Sequence, residues 1–246
     1  MTTWSKLLYQ HDNLAIAQGD VNYYSSVHKF GANFDISISS EPESIWSAGG
    51  LYPWAALDAA ETLYVVSTSV DDTDTILLEG LDNNYLPILE TIQMTGETAV
   101  TTVNQFKRIY RMEYDHGGTN VGTVTARTVS GAGVVVAQID PNLSQTLMAI
   151  YTVPAGFTAY IINLDFSVNR NKDAQCRFYA RGLNASFRIQ HLAEVYQNNY
   201  RYDFTVPLYF PEKTDFDMIV HQVESANTRV SCNFDLILVD NARPNH

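Results

Sequence analysis

The stretch that most constrains the fold is residues 144–166, SQTLMAIYTVPAGFTAYIINLDF, which holds two apolar, β-branched runs on either side of a turn. Pro154 fixes the φ angle needed at the first corner of a type I turn, and Gly156 can take the positive φ of the bulge that follows. The pattern predicts a β-hairpin of residues 146–153 and 157–166. Both faces of its strands are mostly apolar, so we expect the hairpin to lie centrally in a sheet that packs against a second layer.

Strand patterns recur about every ten residues on both sides of this hairpin, with turn-forming residues between them. They cover residues 63–128 and 174–239, and the final run, residues 228–239, alternates between apolar and polar side chains. Short strands at this spacing are typical of β-sandwiches and barrels. The predicted fold class is therefore all-β, with antiparallel sheets in a β-sandwich or jelly-roll-like arrangement.

Changes in composition divide the chain into four parts. The first segments are short and interrupted by Asn, Gly and Asp, which indicates an extended arm that either packs on its own domain or reaches a neighbouring molecule. A Gly-rich opening and an Asp-Pro-Asn ending mark a joint near the middle of the chain. The predicted organisation is an N-terminal arm with short strands (1–43), a first β-sandwich half (44–129), a joint (130–143) and a second β-sandwich half (144–246).

Composition excludes several classes of partner. The chain has 246 residues, of which 46% are hydrophobic, so it can bury a sizeable core; its net charge of −12 repels nucleic-acid backbones and anionic membranes. No stretch approaches the roughly 18 apolar residues of a membrane span, and the first residues do not resemble a secretory signal. We therefore expect a protein that is made in a cytoplasm and that binds neither nucleic acid nor membrane.

The two cysteines, Cys176 and Cys232, each lie inside a predicted strand and have no companion at metal-binding spacing. We expect two buried thiols; a disulfide requires that the two strands be neighbours. None of the six histidines has metal-ligand spacing, and no catalytic or phosphate-binding motif is present. The sequence therefore predicts no catalytic residue, no metal and no cofactor.

Two acidic groups invite a functional interpretation. Asp71, Asp72 and Asp74 could hold a hard cation, but their loop lacks the Gly and the distal Glu of an EF-hand, so a solvated acidic turn is favoured. Asp215 and Asp217 share one face of a predicted strand, and we interpret them as a solvated sheet edge. A chain of this composition without a catalytic constellation is typical of a binding or assembly module rather than an enzyme.

Residues 45–54, IWSAGGLYPW, form an aromatic-rich loop whose glycine pair permits unusual backbone angles. One interpretation is that Trp46 and Trp54 cover the end of a sandwich core, because such rings bury large areas. The other is that Trp46, Tyr52 and Trp54 are exposed anchors for a protein partner or a sugar. These three residues are the candidate partner contacts.

Two further stretches carry a resemblance. Residues 29–36 read KFGANFDI and residues 43–50 read ESIWSAGG. Together they resemble a KFGxNxDI…EDIWDGGG pattern of virion structural proteins of tailed bacteriophages, particularly phages of aquatic bacteria. Ser44, Ser47 and Ala48 depart from that pattern. The resemblance implies a β-rich protein of the phage head, neck or tail.

Three functions follow from these observations. The first is a non-enzymatic virion structural protein, either a capsid decoration protein or a head- or tail-associated fibre or adaptor, that forms a homo-oligomer and contacts other virion proteins. The alternative is a carbohydrate-binding host-recognition module of the particle, with Tyr52, Trp54 and the turn at residues 82–84 contacting the glycan. A glycan-degrading enzyme ranks last.

Overall fold

The structure is a computed structural model that describes residues 13–37, 41–129 and 133–244. Residues 13–18 are helical, and two 3₁₀ turns cover Trp54–Leu57 and Asp115–Gly117. The strands of the described part are β1 (Tyr24–Ile36), β2 (Glu43–Ser44), β3 (Leu63–Ser67), β4 (Thr75–Leu81), β5 (Pro87–Gln93), β6 (Val100–Thr101), β7 (Arg108–Tyr114), β8 (Val124–Thr128), β9 (Val135–Ile139), β10 (Ile150–Thr152), β11 (Phe157–Val168), β12 (Asp173–Arg181), β13 (Arg188–Tyr196), β14 (Asn199–Phe210), β15 (Asp215–Val223) and β16 (Thr228–Asp240).

These strands pair antiparallel in four sheets. The first half of the chain contributes the sheets β6-β3-β8-β9 and β5-β4-β7. The strands β10 to β16 form the other two sheets, β1-β16-β11-β14, which β1 joins, and β10-β15-β12-β13, in which β2 pairs with β15. The prediction of an all-β chain with antiparallel sheets is confirmed. The four sheets have a propeller-like arrangement and form neither a clear jelly roll nor two clear sandwiches.

The buried apolar side chains form two clusters, each shared by two sheets. The first core is lined by β3 to β9 and by the aromatic loop, and Phe106 is its largest fully buried side chain. The second core is lined by β10 to β16 and by the end of β1, with Phe166, Phe178, Phe216 and Phe234 fully buried. Antiparallel sheets with one apolar face must bury that face against another element, which explains the pairing of sheets around each core.

Residues 148–151 lie between the two cores and send alternate side chains into each. Met148 and Ile150 belong to the first core, whereas Ala149 and Tyr151 belong to the second. Side chains of an extended chain alternate in direction, so a segment that separates two cores must be apolar on both faces. This position explains why the sequence is apolar on both faces here.

The predicted hairpin at this place is wrong. β10 pairs with β15 in one sheet, whereas β11 pairs with β14 and β16 in another. The turn itself forms, with Gly156 at φ 81° and the Phe157 amide donating to the Pro154 carbonyl. The Ala155 amide, however, donates to the Tyr85 carbonyl of the first half at 2.8 Å, and the chain crosses from one sheet to the next.

The N-terminal region differs from the expected arm with short strands. Residues 24–36 form one 13-residue strand, β1, which pairs along its length with β16. The first β-strand of the chain therefore completes a sheet made otherwise from the second half. The middle of the chain also differs, because β9 lies within the predicted joint and pairs with β8. Residues 1–12, 38–40 and 130–132 lie outside the described residues.

Most strands predicted after residue 62 are found close to their predicted positions, but β10 covers only part of the predicted run 146–153 and β9 was not predicted. The alternation predicted for residues 228–239 is confirmed, because β16 buries Val230, Cys232 and Phe234 on one face. Both cysteines are buried and free, Cys232 in β16 and Cys176 in β12, which belong to different sheets.

Candidate functional site

The two stretches of the phage-like pattern meet in space. Gly31 of β1 crosses so close to the chain that a Cβ atom would lie 2.1 Å from the Ala149 amide nitrogen and 2.6 Å from the Ile45 carbonyl oxygen. Two residues on, the Asn33 amide donates to the Glu43 carboxylate at 3.0 Å, and that carboxylate accepts the Gly50 amide at 3.1 Å. The pattern therefore encodes a close backbone crossing and its polar supports.

The aromatic loop is buried. Trp46, Tyr52 and Trp54 are 3%, 4% and 8% exposed, belong to the first core, and stack edge to face in sequence at 5.1 Å and 4.8 Å. The interpretation of these three residues as exposed partner contacts is wrong, because each ring is covered by this chain itself. They cover one end of the first core, which was the other interpretation.

Asp215 and Asp217 do not lie at a solvated edge. Both carboxylates are buried on β15, 3% and 2% exposed. Asp215 accepts Arg108 Nε at 2.9 Å and Nη2 at 3.0 Å, Arg181 Nη2 at 2.6 Å, and the Thr152 hydroxyl at 2.7 Å. Because Arg108 belongs to the first half and Asp215 to the second, this network joins the two halves. The predicted solvated edge is therefore wrong.

The Asp217 carboxyl has fewer hydrogen-bond partners than Asp215 and no arginine among them. Its Oδ2 accepts Trp54 Nε1 at 2.8 Å and the Ser44 hydroxyl at 3.1 Å, while Oδ1 has no hydrogen-bond partner among the described residues. Burial raises the pKa of the Asp217 carboxyl to about 7, although these two donors oppose the shift. The network therefore contains one carboxylate that is paired with two arginines, Asp215, and one carboxyl without a cationic hydrogen-bond partner, Asp217, whose pKa is raised to about 7.

The acidic turn is divided between solvent and interior. Asp71 is exposed, whereas Asp72 is buried; the Asp72 carboxylate accepts the Ser67 hydroxyl and the amides of Val121 and Gly122 at 2.7 Å and 2.9 Å. Asp72 thus holds two loops of the first half together. No group of three or more His, Cys, Asp or Glu side chains in the described part is placed to hold a metal ion.

Several exposed apolar side chains lie elsewhere, on β13 and β14. These two strands carry six of the nineteen exposed large hydrophobic side chains of the described part: Ile189, Leu192, Tyr196, Tyr202, Val206 and Tyr209. β13 and β14 are the last strands of their sheets, and a short turn at residues 197–198 joins them. We call these strands the exposed edge. Scattered exposed apolar residues are ordinary, but a cluster on two edge strands indicates an interaction surface.

An aromatic cluster fills the gap between these two edge strands. The His191 ring of β13 lies 4.8 Å from the Tyr202 ring and 5.7 Å from the Phe204 ring of β14, and its Nε2 is 2.9 Å from the Tyr200 hydroxyl. Partial burial lowers the pKa of His191, so its ring is favoured in the neutral form. The rings stiffen the edge and fix the direction of β14.

β14 contains one run of five residues with an uninterrupted register. Residues 199–203 pair with β11 without interruption, and the register then shifts, so that residues 204–207 form a bulge that includes Pro207. Arg201 and Asp203 lie exposed on the same face and form an ion pair at 3.0 Å. A proline inside a predicted strand marks an edge strand, and this signal could have located the surface from the sequence.

Comparisons with known proteins give little. No protein-family model matches the chain, and no curated protein matches it. Among solved structures, it is similar to the PBSX exported protein XepA, with 10% identity, 86% of this chain and 84% of that chain covered, and a TM-score of 0.21. It is also similar to the infectious bursal disease virus VP2 subviral particle, with 8% identity, 89% and 73% covered, and a TM-score of 0.23. Similarity at such low TM-scores does not establish a shared fold or function. No helix in the described part is long and apolar enough to cross a membrane.

Proposed function

We propose that this protein is a non-enzymatic structural component of a bacteriophage particle that acts by protein–protein assembly through the exposed edge. The observation that carries the proposal is the long outer strand β14, of which most residues are exposed and which ends its sheet within the described residues. Unpaired backbone groups on such a strand are a template for another strand. The phage-like pattern of residues 29–36 and 43–50 supports a virion role, such as capsid decoration or a fibre or adaptor of the head or tail.

We propose a second copy of this chain as the occupant of that edge. If two β14 strands pair antiparallel about a two-fold axis at Tyr202, then Arg201 of one copy lies opposite Asp203 of the other, and the pair occurs twice. Oppositely charged residues directly across an antiparallel ladder stabilise it, and like charges destabilise it. The exposed edge is self-complementary in this register, as a two-fold interface requires.

The carbohydrate-binding alternative loses two of its candidate contacts, because Tyr52 and Trp54 are buried, whereas the turn at residues 82–84 remains accessible. We propose that the chain consists of two halves, each a pair of sheets around its own core. Arg108 and Asp215 link these halves, so we propose that they move as one building block in an assembly.

Charge exchange tests the proposal. We expect light scattering to show a dimer or a higher multiple for the wild-type protein, and a shift toward monomer for Arg201→Asp, which places like charges across the interface. The double variant Arg201→Asp/Asp203→Arg should recover the oligomer, because the exchanged pair is again complementary. Arg229→Asp, at an exposed position of β16, is the matched control and should leave the mass unchanged.

A monomeric wild-type protein, or a double variant no different from Arg201→Asp, would refute pairing through β14. Mass spectrometry of purified particles tests the virion role separately. Absence of the chain from the particles of the phage that encodes it would refute that role even if the protein is a dimer in solution.

A further inference from the structure

A cavity of about 330 Å³ lies where loops of the two halves meet, and its lining has an excess of positive charge. Four cationic side chains line it, against the carboxylates of Asp58 and Asp215. The cationic side chains are Lys107, Arg108, Arg181 and Lys213. In a chain of net charge −12, a concave site with this sign of charge stands apart from its surroundings.

The positive charges converge rather than disperse. The Tyr85 ring centre lies 6.0 Å from Lys107 Nζ, 5.8 Å from the Arg108 guanidinium carbon and 5.8 Å from Lys213 Nζ. The ring offers each cation a weak attraction, but three like charges around one ring repel one another. The lining residues carry four positive charges against two carboxylates, and a bound anion could offset this excess.

The one buried carboxylate at the cavity is already committed. Asp215 accepts hydrogen bonds from both Arg108 and Arg181 and from Thr152, so it neutralises one of the two guanidinium groups. Lys107 Nζ donates to the backbone carbonyl of Asp58, and the exposed Asp58 carboxylate also lines the cavity. The Lys213 ammonium faces the same space on a half-buried side chain.

The backbone around the cavity is held in conformations that place these side chains. Tyr85 and Lys213 have φ angles of 64° and 60°, in the left-handed region that residues with a side chain rarely adopt. Hydrogen bonds fix both positions, because the Tyr85 carbonyl accepts the Ala155 amide and the Lys213 amide donates to Val153, each at 2.8 Å. Unfavourable backbone angles of this kind cluster at binding sites.

We propose that this cavity binds a small organic anion, about the size of a monosaccharide, through a carboxylate or phosphate group held by Lys107 and Lys213. Ammonium groups bind such oxygens by charge-assisted hydrogen bonds, and a volume of about 330 Å³ is at the small end of ligand cavities. The site is independent of the exposed edge. An anion bound in the cavity would give this protein a second binding interaction besides assembly through the exposed edge.

Three probes of equal ring size distinguish the chemistry in calorimetric titration: glucuronate carries a carboxylate, glucose 6-phosphate carries a phosphate, and glucose is neutral. We expect saturable binding of at least one anion, weakened by added salt, and no binding of glucose. Whichever anion binds identifies the group that the site prefers. Saturable glucose binding of equal strength, or no anion binding at low salt, would overturn the proposal.

Variants assign the site. Lys107→Met and Lys213→Met should each weaken anion binding about tenfold or more, the loss of one charge-assisted hydrogen bond. Lys172→Met, which lies outside the cavity lining, is the matched control and should bind as the wild type does. Unchanged binding by both cavity variants would overturn the assignment. Arg201→Asp should bind normally, so a failure here is distinguishable from a failure of the assembly proposal.

Discussion

Replacing Asp217 by Asn would remove one buried ionisable group and keep its shape. The Asn side-chain oxygen can still accept Trp54 Nε1 and the Ser44 hydroxyl, the two hydrogen bonds that Oδ2 accepts. The substitution leaves its amide group at the position of Oδ1, which has no partner among the described residues. The substitution therefore changes the free energy of unfolding in two ways. The change in packing and hydrogen bonding does not vary with pH, whereas the loss of the ionisable group has an effect that varies with pH and depends on the pKa of Asp217.

The size of the pH-dependent part follows from linkage. Burial raises the pKa of Asp217 from 3.8 to about 7 in the folded protein. The folded state therefore keeps its proton over a range in which the unfolded state has lost it. The stability from this group is fully present below pH 3.8 and is lost as the pH rises through 7. At about 1.4 kcal/mol per pKa unit, the loss between pH 4 and pH 8 is about 4 kcal/mol.

Urea unfolding of the wild type and of Asp217→Asn at a series of pH values measures this difference. We expect the variant to gain about 4 kcal/mol relative to the wild type between pH 4 and pH 8, whatever its offset at pH 4. Asp35→Asn, at an exposed position of β1, is the matched control for removing one negative charge from an acidic chain. If the difference in free energy of unfolding between wild type and Asp217→Asn stays constant over this range, the Asp217 carboxyl is not neutral in the folded state below pH 7, and the reasoning is refuted.

Two further predictions concern β1 and use the same unfolding assay. Lys29 is buried, and its ammonium donates to the Tyr110 carbonyl. Burial lowers the pKa of Lys29 from 10.5 to about 7. The cost to folding of burying the charged ammonium is therefore fully present below pH 7 and falls as the pH rises toward 10.5. Lys29→Met should therefore be more stable than the wild type at pH 7, with an advantage that falls by about 2 kcal/mol by pH 9; an advantage independent of pH would contradict this. Gly31→Ala should destabilise the protein by about 3 kcal/mol or more, because the added methyl group meets backbone atoms that cannot rotate away, whereas Gly182→Ala has open space around its Cβ and should be nearly neutral. Equal stability of these two glycine variants would show that β1 can shift away from the crossing.

The sequence carries a local signal for the exposed edge. Residues 200–208 lie within the strand patterns of residues 174–239, and Pro207 marks an edge position there because proline cannot donate to a ladder. The choice of β14 as an outer strand was therefore encoded locally. Its self-complementary charge pair, Arg201 and Asp203, has meaning only once the strand is known to end a sheet.

The errors share one cause, which is that a sequence pattern reports burial but not the neighbour that provides it. Trp46, Tyr52 and Trp54 were open to two interpretations because a large ring is apolar in a core and at an interface alike. Asp215 looked like a solvated residue because carboxylates usually are, and its arginine partner Arg108 lies 107 positions away in the sequence. Only the fold places that charge where it can be paired.

Local patterns specify the all-β class, most strand positions after residue 62 and the buried face of β16, because side-chain alternation and turn chemistry act over a few residues. They did not predict β9, and they do not specify which strands pair. The segment around Tyr151 is apolar on both faces, and this pattern fits both a central hairpin with β11 and a strand between two cores. The segment lies between the two cores and pairs with β15, not with β11. Strand pairing depends on contacts between residues distant in the chain, and local patterns do not specify them.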